Sequence, residues 1–186
     1  MHPYSSLIRH FALSITLILF SIIYGFSQTI DQATGINELN LGESLDELSN
    51  SLYIITGKEP IYQQNPWLAQ SFLRNLDRGL KEAIYEGSTL NILNGRKATD
   101  MKAHFYNEKL YKVRWTFNRK NFQNLPAVFA EFKDYFQKRY GPTTDTIFDD
   151  TLIWEGNTNR LQLFIDQESV QVEFRDNVTE KKIQTL

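Results

Sequence analysis

Eight lysines and arginines lie between Arg96 and Lys120: Arg96, Lys97, Lys102, Lys109, Lys112, Arg114, Arg119 and Lys120. Only Asp100 and Glu108 oppose them in that stretch. Cations gathered in a chain of net negative charge make a local positive surface, which attracts an anionic partner. Lys102, Lys112 and Arg114 fall at equivalent steps of two alternating segments, so one face should carry all three. Lysines on an exposed strand also discourage edge-to-edge aggregation, a role that needs no partner.

His104 is the one histidine after Ser27, because His2 and His10 belong to the N-terminal segment. A catalytic imidazole needs an acid to orient it and a nucleophile to serve. The charges around His104 are basic, and Lys102 and Tyr106 share its face, so it reads as a surface histidine. One histidine and no cysteine leave no multi-histidine metal site, no thiolate zinc site and no cysteine nucleophile. Asp145, Asp149 and Asp150 cluster after Gly141. Paired carboxyls can hydrolyse a glycosidic bond, but they must flank it, and neighbours in one loop signal that weakly. The cluster also lacks the spacing of a calcium loop, and it reads as a solvated turn. No catalytic residue, metal or cofactor is expected. Trp115 and Trp154 sit where alternation buries them, whereas Trp67 lies beside an apolar helix face and is the aromatic expected at the surface. Lys102, Lys112, Arg114 and Trp67 are therefore the candidate contact residues, for an acidic protein or an anionic envelope component.

These residues need a folded frame, and the N-terminus says where that frame forms. Met1–His10 carries Arg9, and Phe11–Tyr24 is an uncharged apolar run. Gly25 and Ser27 supply small residues at the −3 and −1 positions, which places a signal-peptidase cut between Ser27 and Gln28. A spanning helix needs about 20 apolar residues, more than this run offers. The expectation is an exported, periplasmic or extracellular protein with no membrane span after cleavage. The alternative is an anchor retained over residues 11–26.

The whole chain has 186 residues, with 20 basic against 22 acidic side chains. The N-terminal segment removes Arg9 and no acid, so the remainder is slightly more acidic. Such a composition, without a polybasic tail, speaks against nucleic acid as a partner. With no cysteine in an oxidising compartment, stability must come from one apolar core.

A flexible lead-in is expected over 28–40, a single domain over 41–176 and a frayed polar tail over 177–186. Ser44 and Glu47 form a capping-box pattern, and Leu45, Leu48, Leu52 and Ile55 continue a helical face toward Gly57. Asn65 and Pro66 open a second helix that reaches about Arg78. Residues 79–95 fit either a strand or a continued helix. Asp100–Tyr106 and Leu110–Phe117 alternate with period two and predict a hairpin, with Met101, Ala103, Phe105, Tyr111, Val113, Trp115 and Phe117 inside. Leu125–Tyr140 is the strongest helix, lined by Leu125, Val128, Phe129, Phe132 and Phe136 and stopped by Gly141-Pro142. Thr151–Glu155, Arg160–Asp166 and Ser169–Arg175 predict a three-stranded meander. The expected class is α+β, an antiparallel sheet built from the hairpin and the meander, with two or three helices packed on one face. Asn177-Val178-Thr179 matches a glycosylation sequon, a pattern common by chance.

Several short motifs carry a resemblance. They are Leu41-Gly42 before the capped helix, Phe105-Tyr106-Asn107-Glu108-Lys109-Leu110, and Lys138-Arg139-Tyr140-Gly141-Pro142 followed by Trp154. Over about residues 40–175 the chain resembles small exported bacterial α+β domains of the β-lactamase-inhibitor-protein-like kind and small outer-membrane assembly lipoproteins. The resemblance implies a non-enzymatic domain that binds proteins or envelope components. It transfers no functional residue, and the anchoring cysteine of the lipoproteins is absent. The leading expectation is an exported, non-catalytic binding or assembly domain. A carboxylate-dependent enzyme acting on envelope sugars and a membrane-tethered accessory or sensor subunit are the alternatives.

Overall fold

The computed structural model describes residues 29–185. The expected export signal and the alternative anchor lie outside the described residues. Among the described residues, no helix is long and apolar enough to cross a membrane.

Two short strands, β1 (Gly35–Ile36) and β2 (Leu39–Asn40), precede a one-turn helix α1 (Leu45–Leu48) and strand β3 (Leu52–Ile54). Helices α2 (Pro60–Gln64) and α3 (Pro66–Asp77) lead into β4 (Leu80–Tyr85). A small hairpin, β5 (Ile92–Leu93) and β6 (Arg96–Lys97), is followed by β7 (Asp100–Tyr106) and β8 (Lys109–Asn118). Helix α4 (Leu125–Tyr140) comes next, then β9 (Asp145–Ile147), β10 (Thr151–Glu155), β11 (Asn159–Ile165), β12 (Ser169–Asp176) and helix α5 (Asn177–Gln184). Eight strands form one antiparallel sheet in the order β3-β4-β7-β8-β12-β11-β10-β9. The fold is α+β. The hairpin and the meander are parts of this larger sheet, joined where β8 pairs with β12.

The β7–β8 hairpin turns through Asn107 and Glu108, both at positive φ, 47° and 64°. Such a two-residue turn matches the twist of its strands and pins Tyr106 opposite Lys109. That register sets Leu110 against Phe105, and uncorrected it would turn Lys112 into the core. A bulge at His104/Phe105 absorbs one residue, so Lys112 faces His104 and Val113 faces Ala103. Tyr111 is the extra residue. It packs edge-on against His104 instead of joining the core face, and Leu110 takes the expected inward place.

The core lies between the sheet and α4. Phe132 meets Phe117 with ring centroids 4.8 Å apart, and Phe136 meets Trp154 at 5.7 Å. Both inner tryptophans bury fully because their N–H groups have partners. Trp115 Nε1 donates to the Leu90 carbonyl and Trp154 Nε1 to the Gly141 carbonyl, each at 2.9 Å. Asn124 caps α4, its Oδ1 accepting from the Ala127 N–H at 3.1 Å. Asn65 caps α3 in the same way toward Leu68 at 3.2 Å.

Several expectations are corrected. The capping box at Ser44 forms, with the Ser44 N–H donating to Glu47 Oε2 at 2.8 Å, but α1 stops at Leu48. Ser49–Ser51 are weak helix formers and make a single 3-10 turn. Leu52–Ile54 then pairs with β4, because long-range pairing outweighs the local period. Residues 79–95 resolve as β4 and the loop that carries β5. The lead-in is not loose: Ile30, Ala33, Ile36 and Leu39 belong to the main core. Their regular three-residue spacing was the available signal. The tail does not fray either. Asp176 caps α5 by accepting from the Val178 and Thr179 N–H groups at 2.7 and 3.2 Å. Asn177 is buried, and its amide donates to Glu155 Oε1 and the Gly156 carbonyl, which closes off the sequon asparagine. Finally, helices occupy both faces of the sheet. α4 covers the apolar face, while α5 sits over the other, where its Glu180 reaches Lys112 and Arg175. Tyr62 of α2 lies in the field of Glu82 and Lys102 on that same outer face.

Candidate functional site

The outer face is built by the residues between the core positions. On β7 these are Lys102 and His104, on β8 Lys112 and Arg114, on β12 Glu173 and Arg175, and on β4 Glu82. Register sets Lys102 beside Arg114 and His104 beside Lys112, so the three candidate cations do share one face.

Those cations face internal carboxylates. Lys102 Nζ lies 2.8 Å from Glu82 Oε1. Arg114 donates twice to Glu173 Oε2, from Nε at 3.1 Å and Nη2 at 2.6 Å. Arg175 approaches the other Glu173 oxygen at 3.4 Å and Glu180 Oε1 at 3.6 Å. Lys112 Nζ is 4.0 Å from Glu180 Oε2. The face is an interlocked lattice of both signs, not the bare positive patch expected. Lys102 and Arg114 keep 38% and 39% of their side chains exposed, whereas Lys112 keeps 15% beneath α5.

His104 lies on the expected face but is not a surface residue. Its side chain is 16% exposed, with Nδ1 3.9 Å from Glu82 Oε2. Nε2 is buried with no hydrogen-bond partner among the described residues. Burial first, then the charges of Lys112, Arg114 and Lys102, hold its pKa down at about 3. Burial likewise pushes the Tyr111 hydroxyl well above its ordinary range, with Glu180 and Glu173 adding to the effect. At 3.9 Å Glu82 is too far to accept a hydrogen bond from Nδ1, and the neighbouring phenol stays protonated, so the triad geometry is not met here.

The remaining chemistry to weigh is a carboxylate pair. Asp31 and Glu155 line a cavity of about 460 Å³ together with Tyr140, Pro142 and Trp154. Both acids are engaged. Asp31 accepts from the N–H groups of Asn157, Thr158 and Asn159 and from the Thr158 hydroxyl, at 2.8–3.2 Å. Burial works to raise the Asp31 pKa, but these donors together bring it down to about 2. Glu155 accepts from Asn177 at 2.7 Å and pairs with Arg160 at 3.2 Å. The Asp31 carboxylate clasps the β10–β11 turn so closely that a Cβ on Gly156 would lie 2.1 Å from its Oδ1. This clasp docks the N-terminal segment on the sheet. Among the described residues, no three histidine, aspartate or glutamate side chains gather as a metal site.

Trp67 stands in the first turn of α3 and is 68% exposed. Tyr53, Ile61 and Leu73 are exposed in the same stretch of chain. Inside that lobe Tyr62 and Phe72 pack at 4.8 Å between ring centroids. Sequence reasoning missed the partners Glu82, Glu173 and Glu180. Glu173 was accessible to it, since Val172 and Phe174 point inward and their neighbour must point out. No protein-family model, no curated protein and no solved structure matches this chain.

Proposed function

We propose that this protein is an exported, non-catalytic binding or assembly domain of the bacterial envelope. Its contact surface in this reading is the segment around Trp67 with the outer face at Lys102 and Arg114, Lys112 being covered by α5. The observation that carries the reading is the exposure of four large apolar side chains, Tyr53, Ile61, Trp67 and Leu73, within one stretch of chain, with Tyr53 in register through Ile84 with the half-exposed Lys102 and Arg114. Exposed aromatics rimmed by charge are the usual makings of a protein contact. The internal carboxylates temper the expected attraction to an acidic partner. Each candidate cation is already answered, so such a partner binds with only modest salt dependence. The motif resemblance to small non-enzymatic exported domains points the same way.

The test is a pull-down from intact envelopes of the producing cells with the exported chain as bait. A Trp67→Ala/Lys102→Gln/Arg114→Gln variant should lose the proteins that the native bait retains while staying folded, its melting temperature lowered only slightly. Equal capture by both baits would remove this surface from the reading. Glutamates at Lys112 and Arg114 would make a poorer test, because they would face Glu180 and Glu173 and weaken the fold. N-terminal sequencing of the exported chain checks the location: it should begin at Gln28, and an intact Met1 on cytosolic protein refutes export.

A further inference from the structure

We infer that Phe148, in the turn between β9 and β10, is an interaction anchor that inserts into an apolar socket ringed by Lys or Arg side chains on a different protein. Phe148 is 86% exposed, the most exposed of the large apolar side chains among the described residues. Its backbone is left-handed, with φ 45°. The other non-glycine residues in that region are Asn37, Asn94, Asn107 and Glu108. Asparagine tolerates this conformation, and Glu108 belongs to the two-residue hairpin turn that demands it. Phe148 is the bulky apolar exception. A glycine would make the same turn without strain, and a polar residue would face water more favourably. Neither backbone nor burial accounts for a phenylalanine there.

The surroundings define the partner. Ile147 beside it is also exposed. Asp145, Asp149 and Asp150 surround the pair in sequence and are exposed. Asp145 accepts from the Thr146 N–H and Asp150 from the Thr151 hydroxyl, both at 2.8 Å, which leaves their charges unneutralised. None of the three forms an ion pair among the described residues. No Lys or Arg occurs between Gly141 and Asn159. An apolar anchor inside an acidic collar is complementary to an apolar socket with a basic rim. The site lies on β9, the sheet edge opposite β3, where another chain can approach. A two-fold pairing of β9 edges would bring six aspartates of two copies together, which argues against a second copy as the occupant.

This site is distinct from the Trp67 face and shares with the reading above only that the chain binds proteins. The test places the photo-cross-linker p-benzoylphenylalanine in place of Phe148 in the producing cells, with Val178 of α5, also exposed, as the control position. The expected result is an adduct made from position 148 and not from 178, mapping to apolar residues flanked by Lys or Arg in another protein. With that protein purified, Phe148→Gly should weaken binding at least tenfold while the melting temperature holds or rises. Asp145→Asn/Asp149→Asn/Asp150→Asn should weaken it less and flatten its salt dependence. Trp67→Ala should leave this adduct intact, so failure at one surface is separable from failure at the other. The inference is overturned by no adduct specific to position 148, by an adduct to a second copy or to an acidic or uncharged surface, or by a lowered melting temperature in Phe148→Gly.

Discussion

On β7 and β8, Met101, Ala103, Val113, Trp115 and Phe117 turn into the main core, and Lys102, His104, Lys112 and Arg114 turn the other way. The two faces are made from alternate residues of the same strands, yet they are held differently. The inner face is aromatic, and its two indole N–H groups each meet a carbonyl. The outer face is a lattice of ion pairs partly screened by water, with one buried imidazole nitrogen left unbonded. Apolar burial carries stability roughly in proportion to area, whereas half-exposed ion pairs contribute little beyond specificity. The inner face should therefore hold the fold, and the outer face should tolerate change and be free to serve contacts.

The largest expected effect breaks that comparison most directly. Phe136→Ala should cost about 3–5 kcal/mol in urea unfolding, while Lys102→Ala should cost under about 1 kcal/mol. Similar losses would mean that the outer lattice is as structural as the core. Next comes Glu173, which answers both Arg114 and Arg175 with only 13% of its side chain exposed. Removing it leaves Arg114 without its carboxylate and Arg175 with Glu180 alone, so Glu173→Ala should cost about 2 kcal/mol, more than Arg114→Ala. A smaller loss than for Arg114→Ala would place the hub elsewhere.

The pH dependence sharpens the picture of the outer face. The folded chain keeps His104 neutral down to about 3, whereas the unfolded chain protonates it at its ordinary 6.5. Between those values the unfolded state binds the extra proton, so stability rises with pH and is fully present above 6.5. Asp31 acts in the same direction in a lower window, from 3.8 down to about 2. Urea midpoints of the native chain should fall between pH 7 and pH 4, and His104→Leu should remove most of that fall. An unchanged slope in His104→Leu would assign the acid sensitivity to other groups.

Local signals made much of the frame legible. Asn65-Pro66 and the Leu68, Phe72, Leu76 stripe mark α3, and the same stripe left Trp67 outside it. Alternation marks β7, β8 and β10 to β12, including the shared face of Lys102, Lys112 and Arg114. The misses share one cause: partners remote in sequence. Leu52–Ile54 became a strand because β4 was there to pair with it. The tail became a helix because Glu180 meets Lys112 and Arg175 on the sheet. The lead-in is ordered because Asp31 finds a turn more than a hundred residues away. The candidate cations lost their bareness to Glu82 and Glu173, which lie 20 and 59 residues away from Lys102 and Arg114.

By itself, then, the sequence determined the period of β7, β8 and β10 to β12, the caps and stops of the two longer helices, and the absence of any thiolate chemistry. Those are properties of residue type and near neighbours, and they need no knowledge of where the chain returns. Tertiary structure alone decided which charges are answered, that His104 is buried, and that Phe148 stands exposed on a strained turn. Each of these depends on the groups that folding brings alongside, and hence on burial and distance rather than on order along the chain.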